Sequence, residues 1–137
     1  MKSDNNDKRK GCSSNMYQGA YKRVLAVCSG GLLRSPTIAH LLSKEYDYNT
    51  RCVGTKKEYA LIGIDEVLLM WADEIVCADD EHADIIKSAL LEMGLKTPVV
   101  NLEIPDYYEY MDAKLVEMIK DRYEKHLLLE TKKKKDL

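Results

Sequence analysis

Cys28 and Arg34 stand at C-x5-R spacing inside "VLAVCSGGLLRSPTIAHLL", residues 24–42, with Gly30 and Gly31 between them and Ser35 directly after. A loop of this length joining a strand to a helix can curl so that the N–H groups of Ser29, Gly30, Gly31, Leu32 and Leu33 point inward, and the helix N-terminus adds its own donors and dipole. The result is a cradle for a tetrahedral anion. Glycine permits the backbone angles such a ring demands. Arg34 can close it with a planar fork matched to two phosphate oxygens, where lysine would supply only charge. The same dipoles and guanidinium favour thiolate over thiol at Cys28, which places a nucleophile beneath a bound phosphorus atom. Ser35 can donate a hydrogen bond to that sulfur and stabilise it as a leaving group, and it can also N-cap the helix.

Cleavage of a phosphate ester by a thiolate needs a proton for the departing oxygen, and a carboxylic acid in a loop is the usual donor. Asp79, Asp80, Asp106 and Asp112 are the candidates. Asp79 and Asp80 precede a predicted helix and suit capping, and Asp112 suits the start of the last helix. Asp106 lies in a loop beside Tyr107 and Tyr108, where partial burial would help keep the proton in place. The residue types alone leave the choice open. Tyr107 and Tyr108 can wall the cleft and stack on an aromatic substrate, or pack on the sheet edge.

The elements that must position these groups alternate along the chain. "RVLAV" reads as a buried strand, "SPTIAHLLSKEY" as a helix packing Ile38, Leu41 and Leu42, and "TRCVGT" as a second strand. "IDEVLLMWA" reads as a helix packed by Val67, Leu68 and Trp71, followed by the strand "DEIVCA". "DEHADIIKSALLEMG" is a helix that Gly94 can end, "TPVVNL" a fourth strand and "EIPDYYEYM" a loop. "DAKLVEMIKDRYEKHLLLE" is a closing helix with Leu115, Met118, Ile119 and Tyr123 on one face. Four alternations predict a three-layer α/β/α fold on a four-stranded parallel sheet, with the phosphate-binding loop after the first strand. The loops bearing Cys28, Asp79, Asp80 and Asp106 then open on one sheet edge, where ligands bind in such folds.

With 137 residues the chain suits one domain, read as residues 21–130, flanked by a disordered tail over 1–20 and a basic tail over 131–137. Its 45% hydrophobic and 32% charged residues are those of a soluble globular protein, and the net charge of -2 gives no overall attraction to nucleic acid or anionic membrane. No apolar run approaches a membrane span and no secretory signal is evident. Cys12, Cys28, Cys52 and Cys77 form no C-x-x-C pair, which argues against zinc cysteine sites and a disulfide framework. They read as reduced thiols in a cytoplasmic setting. Cys52 and Cys77 fall in strands and suit the core, as does Trp71, while His40 and His82 read as surface or packing histidines.

"VCSGGLLRSPT" resembles the phosphate-binding loop of the low-molecular-weight protein tyrosine phosphatases, whose pattern is V-C-x-G-N-x-C-R-S-P. "CVGT", "WADEIVCAD" and "IPDYY" resemble their "SAGT", "ADLIL-x-M-D" and "DPYY" stretches in the same order, over about residues 22–128. The ending "IPDYYEYMDAKLVEMI" resembles a compact branch of predicted tyrosine phosphatases. The resemblance implies a cysteine-dependent phosphatase acting through a phosphocysteine on a phosphorylated protein or small phosphomonoester, with no metal or organic cofactor. It also selects Asp106 as the acid. Gly31 replaces the usual loop asparagine, removing a side-chain strut, and Leu33 replaces a second cysteine, so Cys28 lacks a neighbouring thiol and over-oxidises more easily. Proline precedes Asp106 instead of following it. The alternatives are a phosphatase of a nucleotide, RNA end or metabolite, an arsenate reductase, and a phosphate-binding or phosphopeptide-binding module without turnover. The oligomeric state is not encoded in these patterns.

Overall fold

A computed structural model describes residues 13–14, 21–28, 34–55, 66–105 and 108–135. The strands are β1 (Ser13–Ser14), β2 (Arg23–Cys28), β3 (Asn49–Gly54), β4 (Glu74–Cys77) and β5 (Val99–Asn101). The helices are α1 (Arg34–Tyr46), α2 (Glu66–Trp71), α3 (Asp80–Met93) and α4 (Ala113–Lys135). The sheet order is β1-β3-β2-β4-β5, parallel throughout except for β1, which runs antiparallel to β3. The expected four-stranded parallel sheet is thus present, with an added edge strand.

β2 lies at the centre because both of its faces are apolar. Val24, Ala26 and Cys28 face one core with Ile38, Leu42, Leu115, Ile119 and Tyr123 from α1 and α4. Leu25 and Val27 face the other, with Leu69, Ile86 and Leu90 from α2 and α3. Alternation with period two divides β4 in the same way, Val76 to the first core and Ile75 and Cys77 to the second. Each fully buried aliphatic side chain contributes about 1.5–3 kcal/mol, so these two layers are what hold the sheet edge in shape.

Helix ends follow local chemistry. Asp79 caps α3 by accepting from Glu81 N–H, and Gly94 closes the same helix at φ 72°, a left-handed angle that glycine adopts at little cost. Asp112 accepts from the N–H groups of Lys114 and Leu115 and caps α4.

Several expectations need correction. Ser13–Ser14 pairs with Arg51 and Thr50, so an edge strand sits in a segment read as tail. α4 continues to Lys135, carrying helix into the segment read as a basic tail. On α2 the buried residue is Leu69, whereas Val67 is 74% exposed, because a six-residue helix presents only one turn to the sheet. Trp71 is half-buried, with the Arg51 guanidinium 4.9 Å from its ring centroid. α1 starts at Arg34, which puts Ser35 inside the first turn and not at the cap.

Candidate active site

The strand order reverses between β2 and β4, since the chain passes from β2 to β3 on one side and then to β4 on the other. The carboxyl ends of these two strands therefore flank the crevice where doubly wound sheets bind ligands. Cys28 ends β2, and Asp79 follows β4 by two residues. The backbone ties them into one edge: Ala78 N–H donates to Val27 O at 2.9 Å, and Thr55 N–H donates to Cys28 O at 2.9 Å.

Cys28 is buried at the end of its strand. Its thiol donates to Ser35 Oγ at 3.2 Å, and the Ser35 hydroxyl donates to Val53 O at 3.4 Å. On ionisation of the thiol, the hydroxyl can turn and donate to the sulfur instead. Ser35 reaches both groups because the helix begins one residue earlier and points its first turn back over β2 and β3.

Arg34 is only 2% exposed. A buried guanidinium must be paired, since leaving one charge uncompensated costs several kcal/mol. One terminal nitrogen, Nη1, donates to Asp79 Oδ2 at 3.1 Å and to Ile104 O at 2.8 Å. Asp79 thereby serves two elements, capping α3 and fixing Arg34. Burial tends to raise its carboxyl, but the hydrogen bond and charge of Arg34, with the His82 backbone N–H, outweigh that and hold it below the ordinary 3.8. His82 is fully buried, accepts Asp79 N–H on Nδ1 at 3.3 Å and completes a capping box. Its role is thus to hold the residue that holds Arg34.

The loop after β5 reaches the same point. Ile104 N–H donates to Ala78 O at 2.6 Å while its carbonyl accepts from Arg34 Nη1. Asn101 accepts from Glu103 N–H at 2.9 Å and donates to Asp80, and Arg122 on α4 donates to Leu102 O at 2.8 Å and to Glu103 O. Beyond the next residues the loop is pinned again, Met111 N–H donating to Thr37 Oγ1 on α1 at 2.9 Å. Tyr108 is half-buried and packs against the α1 and α4 core. A cleft of about 450 Å³ beside the Arg34–Asp79 pair is lined by Asp79, Asp80, Glu81, Glu103, Ile104 and Pro105.

Of the expected site residues, Cys28, Arg34 and Ser35 converge on this edge, with Tyr108 behind it. Ser29, Gly30, Gly31, Leu32, Leu33, Asp106 and Tyr107 lie outside the described residues. Asp79, weighed in the sequence as a cap or an acid, is the cap and also the partner of Arg34. His82, Thr37 and Arg122 as positioning groups carried no motif. The only local signal was His82 three residues after Asp79, which fits a capping box. Cys52 and Cys77 are buried as expected, and burial pushes the Cys77 thiol up to about 12. His40 is half-buried on α1.

No protein-family model and no curated protein sequence matches the chain. Solved structures do. A YwlE mutant from Bacillus subtilis matches at 19% identity and TM-score 0.54, covering 77% of this chain and 98% of the other. The YwlE arginine phosphatase from Geobacillus stearothermophilus matches at 17% identity and TM-score 0.55, covering 82% and 96%. Vibrio vulnificus Wzb in complex with benzylphosphonate matches at 18% identity and TM-score 0.57, covering 75% and 94%. The chain has the fold of these proteins, the one implied by the resemblance to the low-molecular-weight protein tyrosine phosphatases.

Proposed function

We propose that the chain is a phosphomonoester hydrolase of the low-molecular-weight tyrosine phosphatase kind, working through a phosphocysteine on Cys28. The observation that carries this reading is the buried Arg34 fork, held by Asp79 and Ile104 at the strand edge where the Cys28 sulfur meets Ser35. A buried arginine of this kind, one loop away from a serine-partnered cysteine, suits an anion that must sit in one orientation.

In the proposed reaction the Cys28 thiolate attacks phosphorus and forms an S–P bond as the ester P–O bond breaks. Asp106 gives its proton to the departing oxygen, while the amides of residues 29–33 and Arg34 hold the equatorial oxygens. Water then attacks the phosphocysteine, Asp106 takes the proton, and the sulfur leaves as thiolate with Ser35 donating to it.

Elimination supports Asp106 as the acid. Asp79 is held ionised by Arg34, Asp80 is bonded by Asn101, and Asp112 caps α4. Asp106 follows Ile104 by two residues, so chain length alone keeps it within about 7 Å of a carbonyl that touches Arg34. Tyr107, and Tyr108 from its half-buried position, would flank an aromatic leaving group. No helix of the described residues is long and apolar enough to cross a membrane, and a cytoplasmic phosphoprotein or small phosphomonoester is the substrate class this reading requires.

A second reading, hydrolysis of phosphoarginine, is favoured by the four carboxylates lining the cleft, which would receive a cationic leaving group. Two of the structural neighbours are arginine phosphatases.

Steady-state hydrolysis of phosphotyrosine peptide, phosphoarginine and an alkyl phosphate by wild type, Cys28→Ser and Asp106→Asn tests both. Cys28→Ser abolishes turnover, and Asp106→Asn lowers it with a smaller loss on esters of acidic phenols. A higher kcat/KM on phosphoarginine than on phosphotyrosine would replace the first reading by the second. Tight tungstate binding without hydrolysis of any substrate would leave a binding module.

A further inference from the structure

At the opposite edge of the sheet, Glu74 opens β4 with its side chain 2% exposed. Tyr123 donates to its Oε1 at 2.7 Å, which fixes the carboxylate plane and leaves Oε2 to face His126. His126 and Glu130 lie one helical turn apart on α4, the spacing that puts two side chains on one face. His126 Nε2 is 3.5 Å from Glu74 Oε2 and 3.3 Å from Glu130 Oε1. It is buried, yet it makes no properly directed hydrogen bond among the described residues. Such an atom calls for a partner that tolerates its geometry.

The distances indicate which partner. Imidazole and carboxylate ligands stand about 2.0–2.2 Å from zinc, so two corners of a tetrahedral site are about 3.4 Å apart. Both contacts of Nε2 match that edge. The ligand atoms of all three residues lie within 4.8 Å of one another, and the wider pair closes by rotation of Glu130, whose side chain is 40% exposed. The Tyr123 hydrogen bond is the kind of support that orients a ligating carboxylate.

We propose that Glu74, His126 and Glu130 form a binding site for a divalent transition-metal ion, zinc by the chemistry of the donors, that ties α4 to the start of β4. The site is independent of the phosphatase reading, since Cys28 and Arg34 lie at the other ends of the strands. Lys22 Nζ, now 3.2 Å from Glu74 Oε2, competes with the metal. Its side chain is 33% exposed and already rides 5.2 Å from the Tyr48 ring centroid, so it can yield the carboxylate and stay over that ring.

The test is titration of the chelator-stripped full chain with zinc by calorimetry and with cobalt by visible absorption. One ion binds per chain, with a cobalt spectrum of nitrogen and oxygen ligands and no thiolate band, and zinc raises Tm. His126→Gln and Glu130→Gln each weaken binding at least about tenfold and remove the rise in Tm, whereas Cys28→Ser leaves both unchanged and Lys22→Met tightens binding. Glu130 touches no core, so its loss of affinity does not come from unfolding. Equal affinity in wild type and both α4 variants, loss of binding in Cys28→Ser, or no saturable uptake overturns the site and leaves His126 as a packing residue between α4 and β4.

Discussion

The two ends of the parallel sheet each bury one charge, and they hold it in opposite ways. At the carboxyl edge Arg34 is held by a partly exposed carboxylate and a loop carbonyl, and its partner Asp79 also belongs to a helix cap. At the amino edge Glu74 is ringed by Tyr123, Lys22 and His126, and the Tyr123 ring in turn meets Tyr46 at a tilt and Tyr48 edge-on. The first arrangement uses pairing to fix a buried cation at the strand ends, beside the cleft that Asp79 and Ile104 line. The second uses pairing to join α4, β4 and the residue before β2 into one block. A buried ion pair is weak proof of stability but a strong constraint on geometry, and the two edges apply that constraint to different ends.

Variants that break one edge while sparing the other test this division. The largest effects come from the buried charges themselves. Arg34→Lys should lower kcat/KM on an aryl phosphate by about 10²–10³, because lysine cannot span Asp79, Ile104 and a phosphate at once. Glu74→Ala should cost about 1–3 kcal/mol in urea unfolding, because it removes the acceptor of the buried Tyr123 hydroxyl, and leave kcat/KM of the folded protein unchanged. Comparable losses of activity from both would erase the distinction.

Asp79→Asn comes next. Asparagine still caps α3 but leaves the buried Arg34 guanidinium without its carboxylate, so stability at neutral pH falls, and the freed Arg34 lowers kcat by about tenfold. The pH dependence sharpens this. Asp79 titrates below the ordinary 3.8 in the folded chain, so its contribution is complete above the unfolded value and is lost as pH falls through the folded one. Denaturation from about pH 5 downward should show the wild type losing stability more steeply than Asp79→Asn, and parallel curves would refute the pairing.

Thr37→Val is the smallest. It removes the acceptor of Met111 N–H, worth about 1 kcal/mol, and should lower kcat by no more than about tenfold. Its effect should be larger on esters of poor leaving groups, which would depend most on Asp106, the proposed acid.

Much of the carboxyl edge was legible because its signals are local. Cys28, Arg34 and Ser35 lie within one short stretch, and Asp79, Gly94 and Asp112 carry capping chemistry in the sequence itself. The amino edge was not legible. Glu74 meets Lys22, Tyr123 and His126, residues far apart in sequence that only the sheet brings together. Val67 was misplaced because one turn of helix does not establish a period, and the two-residue β1 has no alternation to read. The lysine run continues α4 because its residues are good helix formers extending an existing helix, whereas charge alone suggested a solvated end.

Ile104 is tied to Ala78 and Arg34, and Met111 to Thr37 on the helix that Arg34 opens. Both anchors thus draw on the elements that hold Cys28 and Arg34, so loosening either one should register in turnover as well as in stability.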